Sequence, residues 1–176
     1  MKRKYIDCKE YANVITKALN PGILLTTKAG GKVNTMTIGW GSIGVNWSRP
    51  VFIAYVRQSR YTHQMIDANP FFTVNVPYGE YDKAVLGFCG TKSGRDTDKI
   101  SECSLTAVES EKINVPALKE FPLTLECRVI YREDEKPELM DSEIRDKLYT
   151  PSEDGTRDIH TVYYGEIVSA YILEEE

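Results

Sequence analysis

The extended runs of this chain are short, and turn chemistry closes almost every one of them. Gly22 to Lys28 is apolar and β-branched, Ala29-Gly30-Gly31 supplies a turn, and Val33 to Trp40 resumes an extended pattern, which predicts a β-hairpin. Gly39, Gly41 and Gly44 interrupt the second arm, as glycines do where a strand bulges or something approaches its backbone. Arg49-Pro50 ends that region, and Val51 to Val56 reads as a buried strand. Phe71 to Val76 is another, stopped by Pro77, and Leu105 to Val108 and Leu123 to Tyr131 follow. Thr161 to Leu173 is a long final strand. Helical patterns fall between them, at His63 to Ala68, Glu80 to Phe88, Asp96 to Cys103 and Glu138 to Leu148. Strands separated by hairpin turns rather than by regular crossover helices exclude a doubly wound layout, and no G-x-G-x-x-G follows a strand. The pattern predicts a mainly β fold, an antiparallel barrel or sandwich with helical insertions.

A chain of 176 residues is the size of one ordinary domain. Its 41% hydrophobic and 27% charged residues are those of a folded protein rather than a disordered one. A net charge of -4 argues against a general nucleic-acid binder, which needs a concentrated basic surface. No apolar stretch follows the basic start Met1 to Asp7, and no run reaches transmembrane length, so neither export nor membrane insertion is expected. Cys8, Cys89, Cys103 and Cys127 form no C-x-x-C pair, and His63 and His160 are the only histidines. That spacing supports neither a metal site nor a disulfide framework and predicts reduced thiols in a cytoplasmic protein. Glu174 to Glu176 reads as a solvated acidic end.

Three segments carry candidate chemistry. Ser59-Arg60-Tyr61-Thr62-His63 lies between a strand and a helix start, where free backbone N–H groups and a positive dipole end meet an anion. Arg57 and Arg60 add guanidinium groups suited to phosphate, although ordinary capping by Ser59 or Thr62 explains the same residues. Asn34-Thr35-Met36-Thr37-Ile38-Gly39-Trp40-Gly41-Ser42 alternates polar and apolar residues, then turns glycine-rich. A flat aromatic ligand fits such a strand, with backbone groups and the hydroxyls of Thr35, Thr37 and Ser42 against its edge; so does an amphipathic strand with one wet face. Gly90 to Lys99 is dense in small donors and holds Lys92, Arg95 and Lys99, which suits a loop folding over an anionic cofactor or a solvated turn. It lacks the G-x-x-x-x-G-K-[ST] of a P-loop. Cys89 is either a reactive thiol or a small buried hydrophobe, and His63 meets either a phosphate or solvent. No Ser or Cys partner for either histidine is evident, so no triad is expected.

The ordered set of segments is similar to the flavin reductase-like, FMN-binding split-barrel family, and in particular to its flavoredoxin branch. The matching pieces are Asn20-Pro21, Asn34 to Trp40, Arg57 to Thr62, Phe72-Thr73-Val74-Asn75-Val76-Pro77, Cys89-Gly90 to Lys99, and Tyr164-Gly165-Glu166-Ile167. They span most of residues 20–172 of a single domain, and Glu133 to Ile159 matches least. The resemblance implies a homodimer of six-stranded antiparallel split barrels with FMN near the subunit interface. It places Asn34, Thr35, Met36, Thr37, Gly41 and Ser42 along the isoalloxazine ring, and Ser59, Arg60 and Thr62, helped by Arg57, on the phosphate. Ser93, Gly94, Arg95 and Lys99 then close over the cofactor, from the same or the other subunit. The family has no universal acid–base residue, so no catalytic side chain is expected; the flavin carries the redox chemistry. Three functions remain open at this point. One is an FMN-dependent oxidoreductase fed by NAD(P)H, the second is an electron carrier reduced by a protein partner, and the third is a cofactor-free β-barrel binding module.

Overall fold

The computed structural model describes residues 1–175. Ten strands and five α-helices run in the order β1 (Lys2–Tyr5), α1 (Ala12–Ala18), β2 (Ile23–Ala29), β3 (Lys32–Ile38), β4 (Gly41–Asn46), β5 (Arg49–Arg57), α2 (Tyr61–Ala68), β6 (Phe71–Val76), α3 (Lys83–Thr91), α4 (Lys99–Glu102), β7 (Ala107–Val108), β8 (Ala117–Leu118), β9 (Leu123–Asp134), α5 (Ser142–Leu148) and β10 (His160–Glu174). The main sheet is antiparallel throughout, in the order β3-β2-β6-β9-β10-β5-β4, with β1 added against β10; β7 and β8 form a separate pair.

The main sheet therefore has eight strands where the family resemblance implies six. The reason is the length of β10. One of its edges pairs with β9 along most of its 15 residues, while the other edge is divided. Its first half, His160 to Glu166, pairs with β5, and its last turns of chain, Tyr171 to Glu174, pair with β1. The remaining strand was hidden in the glycine-rich stretch: Gly41–Asn46 is a strand of its own, joined to β5 by a tight turn at Trp47 and Ser48, both at positive φ. The β2–β3 turn uses Gly30 and Gly31 for the same positive-φ geometry, where a two-residue hairpin needs it.

The sheet curls round one core. Alternate residues on each strand enter it: Ile23 and Leu25 on β2, Phe52, Ala54 and Val56 on β5, Phe72, Val74 and Val76 on β6, Leu123, Leu125 and Cys127 on β9. Ile15 of α1 and Ile66 of α2 plug it. The expected helix near His63 begins two residues earlier, at Tyr61, and the expected helix at Glu80 begins at Lys83, where the Asp82 side chain caps it by accepting from the Ala84 N–H at 2.8 Å. The expected helix over Glu138 to Leu148 is a 3-10 turn at Pro137–Leu139 followed by α5, capped by Asp141. The helix α1 and the strand β1 carry no apolar periodicity long enough to announce themselves. Among the described residues no helix is long and apolar enough to cross a membrane. Glu175 meets Lys119 at 2.9 Å, and Glu176 lies outside the described residues.

The outer face of β2, β3 and β6 is polar yet buried, because α3, α4 and the β7–β8 pair cover it. Its hydrogen bonds close among themselves. Asn75 Nδ2 donates to Thr26 Oγ1 and to Thr73 Oγ1, each at 3.0 Å, and Asn75 Oδ1 accepts from the Leu118 N–H at 2.9 Å. Thr26 Oγ1 donates to Thr35 Oγ1 at 3.0 Å, and Thr73 Oγ1 to the Pro116 carbonyl at 2.7 Å. A fully paired polar layer fixes which strands lie beneath which cover. Replacing Asn75 with Leu orphans the Leu118 N–H, at about 1–3 kcal/mol for a buried group left unpaired, and takes one donor from the Thr26 and Thr73 hydroxyls, which keep their acceptors. Urea unfolding of Asn75→Leu is expected to show a lowered midpoint with an unchanged slope; an unchanged midpoint refutes this role for the network.

Candidate functional site

The two ends of the sheet, β3 and β4, are joined by only Gly39 and Trp40 and do not pair with each other. The gap between them is where the barrel stays open. In an antiparallel ladder, every second residue turns its N–H and C=O away from its partner. Thr35 is such a residue on β3, since its carbonyl accepts from Lys99 Nζ at 2.9 Å. Thr37, two residues along, turns its backbone to the same open edge.

Three clefts run along this edge and share walls. The middle one, of about 180 Å³, is bounded by Met36, Thr37, Ile38, Gly39 and Trp40 on one side and Tyr55, Arg57, Arg60 and His160 on the other. Met36 and Arg60 continue into a second cleft of about 120 Å³ at the start of α2. Gly39, Trp40 and Tyr55 continue into a third, more apolar one of about 470 Å³, completed by Gly41, Glu135, Ile144, Leu148 and Tyr149.

The second cleft is built for an anion. Arg60, Lys92, Arg95 and Lys99 line it, and no Asp or Glu does. The α2 N-terminus opens onto it with no side-chain cap, because Thr62 and Ser59 are spent elsewhere: Thr62 Oγ1 accepts from Asn34 Nδ2 at 3.0 Å, and the Ser59 hydroxyl donates to Asp158. Lys99 is the key charge. It is 4% exposed, and its ammonium donates to two carbonyls, Thr35 and Cys89, each at 2.9 Å. No carboxylate pairs with it among the described residues, and burial lowers its pKa below the usual lysine value. Arg60 is exposed and makes one long contact, 3.5 Å to the Gly90 carbonyl, which leaves its guanidinium free.

The loop after α3 is held to its own chain. Gly94 packs so closely on Asn34 that a Cβ at Gly94 falls 1.9 Å from Asn34 Oδ1. Lys32 Nζ donates to the Gly94 carbonyl at 2.5 Å, and Arg95 Nη1 to the Ser59 carbonyl at 3.1 Å. Both cations lie over the Tyr61 ring, at 5.1 and 5.5 Å.

Of the residues singled out in the sequence, Asn34, Met36, Ser59, Arg60, Thr62, Ser93, Gly94, Arg95 and Lys99 meet at the anion cleft. Others fall differently. The Thr35 and Thr37 hydroxyls face the opposite side of β3, where Thr35 bonds Thr26 and Thr37 donates to the Leu86 carbonyl at 2.6 Å; only their backbones reach the open edge. Ser42 is exposed on β4 outside all three clefts, and Gly41 borders only the apolar one. Arg57 lines the middle cleft but spends its two terminal nitrogens on the carbonyls of Asp158 (2.5 Å) and Leu148 (2.8 Å). His63 is turned away to β10, bonding Thr161 Oγ1 at 2.9 Å. Cys89 is a buried wall whose thiol is pushed up to about 12 by burial, so it is inert at neutral pH.

Three residues gain a place that the sequence did not assign. Trp40 packs at a tilt against His160 with centroids 4.9 Å apart, and Tyr55 lies edge-on to the same imidazole. His160 Nδ1 sits 2.9 Å from the Tyr149 hydroxyl and 3.2 Å from Glu135. Burial lowers the His160 pKa, against the pull of Glu135, which keeps the ring neutral at physiological pH. The glycines flanking Trp40 were the available signal; a single histidine before a strand was not one.

Residues 19–176 match the flavin reductase like domain. The chain belongs to that family. An uncharacterized protein of Archaeoglobus fulgidus is 40% identical over 99 residues, which is 56% of this chain and 55% of that protein, so the match spans about half the relative's length. Among solved structures, flavoredoxin from Methanosarcina acetivorans is 31% identical with a TM-score of 0.66, covering 87% of this chain and 68% of that one. Flavoredoxin of Desulfovibrio vulgaris (Miyazaki F) has the same TM-score at 23% identity, covering 87% and 69%. The mainly β split-barrel fold is common to them.

Because burial favours the neutral amine, Lys99 loses its proton at lower pH than an exposed lysine, and an anion beside it restores the proton. An NMR titration of labelled lysines is therefore expected to show one ammonium titrating early, and moving to higher pH when FMN is added. A Lys99 signal unmoved by FMN refutes the contact.

Proposed function

We propose that this flavin reductase-like protein passes electrons through bound FMN and takes them from a nicotinamide. The observation that carries the reading is the buried Lys99 ammonium, which has no counter-ion among the described residues and stands beside Arg60, Arg95 and an uncapped helix start. A phosphate supplies the missing negative charge. The cofactor is FMN, as the similar FMN-binding proteins and the chain's membership of the flavin reductase-like family support. Arg60, Thr62, Ser93, Arg95 and Lys99 hold its phosphate, and the open edge of β3 from Thr37 to Trp40 carries the ring. When bound, FMN supplies hydride and single-electron chemistry that no side chain of this protein has.

The chain's own residues bind and orient. The backbone of Thr37 offers fixed donors and acceptors to a ring edge, and the neutral His160, braced by Tyr149 and Glu135, walls the other side. The apolar cleft between Trp40, Ile144 and Leu148 leaves room beside the ring for a second flat molecule, which favours a nicotinamide donor over a protein one. Met36, shared by the middle and anion clefts, supports the ring from β3, while Asn34 holds Thr62 at the helix start and Thr35 contributes through its backbone. The protein acts as a homodimer: Val45 and Trp47 are 64% and 54% exposed on the β4–β5 hairpin, and Trp47 meets Tyr131 edge-on and Tyr164 at a tilt, an apolar surface that a second copy would cover. The four free thiols fit a reducing, cytoplasmic setting.

Arg60→Ala is expected to weaken FMN binding by about 1.5–3 kcal/mol, the worth of a charge-assisted contact, and to leave riboflavin nearly unchanged. Equal losses for both ligands, measured by flavin fluorescence quenching, refute the phosphate assignment. Anaerobic stopped-flow mixing of the FMN-loaded protein with NADH and NADPH tests the donor: fast bleaching by either supports the oxidoreductase, and bleaching by neither, with reduction by a redox protein, supports an electron carrier. Colourless protein that takes up no flavin leaves only the cofactor-free module. Analytical ultracentrifugation of the flavin-loaded protein is expected to give a dimer, and a monomer of 20.0 kDa refutes the assembly.

A further inference from the structure

The segment between β9 and β10 delivers a carboxylate to the phosphate end of the site. Asp158 Oδ1 accepts from the Ser59 N–H at 3.0 Å, and Asp158 Oδ2 accepts from the Ser59 hydroxyl at 2.7 Å. Ser59 lines the anion cleft, so an anion already holds both of the donors that this residue has to offer. Asp158 is not a loose surface group. Its own carbonyl is gripped by Arg57 Nη1 at 2.5 Å, and the next residue's carbonyl accepts from the Gln58 N–H at 3.0 Å. Arg57 also reaches Leu148 and stacks on Tyr149, tying the whole segment down.

We propose that Asp158 is a selectivity residue that occupies Ser59 and loosens the hold on the flavin phosphate. This rests on the phosphate reading given above. A phosphate held by Arg60, Thr62, Arg95 and Lys99 meets a fixed like charge across Ser59, which Arg57, 4.0 Å from Asp158 Oδ2, offsets in part. The arrangement penalises the phosphate-bearing flavin and not the neutral one. It narrows the preference for FMN over riboflavin, and it favours a flavin that dissociates between turnovers over one that is permanently held.

Asp158→Asn removes the charge and keeps the geometry, because an amide accepts from the Ser59 N–H in the same place, while its Nδ2 donates to the Ser59 oxygen and releases that hydroxyl's proton toward the cleft. Flavin titrations of the full-length apoprotein are expected to give FMN binding about tenfold tighter in Asp158→Asn, with riboflavin changed less than about twofold, and the FMN gain shrinking in high salt. Asp158→Ala, which frees Ser59 altogether, is expected to tighten FMN at least as much, and circular dichroism establishes that each variant is folded. Unchanged FMN affinity in a folded variant, or equal gains for FMN and riboflavin, overturns the proposal. The two readings fail differently. If Arg60→Ala weakens FMN selectively while Asp158→Asn does nothing, the phosphate site stands and the selectivity role falls. If Arg60→Ala weakens neither ligand selectively, both fall.

Discussion

An antiparallel sheet that curls round one core but stops short of closing leaves two edges facing each other, and here those edges are β3 and β4. Backbone N–H and C=O groups on such an edge must find partners other than a neighbouring strand. The Thr35 carbonyl finds Lys99, which drags a positive charge into the interior. The Thr37 backbone turns to the open edge and faces the cleft. The unclosed seam thus produces both halves of the site from one cause: a strip of unused backbone suited to a ring edge, and a buried cation suited to a phosphate. A barrel closed by a β3–β4 ladder would satisfy the edge internally and have no use for Lys99.

The covering elements follow from the same geometry. β2, β3 and β6 are buried on both faces, so their outward threonines and Asn75 are paired beneath α3, α4 and β7–β8 rather than solvated. That cover also ends in the loop that carries Ser93, Gly94 and Arg95. The absence of a Cβ at Gly94 allows the loop to seat on Asn34, which in turn holds Thr62 at the helix start. One contact therefore couples the cover to the anion cleft.

The fold class and the anion cleft were legible in the sequence because both are local. A turn rich in Ser, Thr and Arg before a helix, and a glycine-bearing basic loop, keep their meaning wherever the chain carries them. The orientation of β3 was not legible. A period of two says that Thr35 and Thr37 share a face, but when helices cover one face and a ligand groove borders the strand edge, it cannot say which groups meet the ligand. The hydroxyls turned out to serve the cover, and the backbone the cleft. Arg57 was legible as a cation near the site but not as the tie that anchors a segment nearly a hundred residues away, since nothing in a linear pattern predicts such pairing.

The middle cleft has one wall from β3 and another from the start of β10, where His160 stands between Trp40, Tyr55 and Tyr149. The segment just before His160, between β9 and β10, shapes the apolar cleft and delivers Asp158. The division is physically reasonable. The β3 edge and Lys99 answer to the sheet's own unsatisfied groups and so are bound to the fold. The segment between β9 and β10 leaves the sheet and returns to it, and its residues are free to differ without unpairing a strand. On the proposed reading, affinity for the phosphate resides in the first set, and choice among flavins and second substrates in the other, so the two properties can change independently of each other.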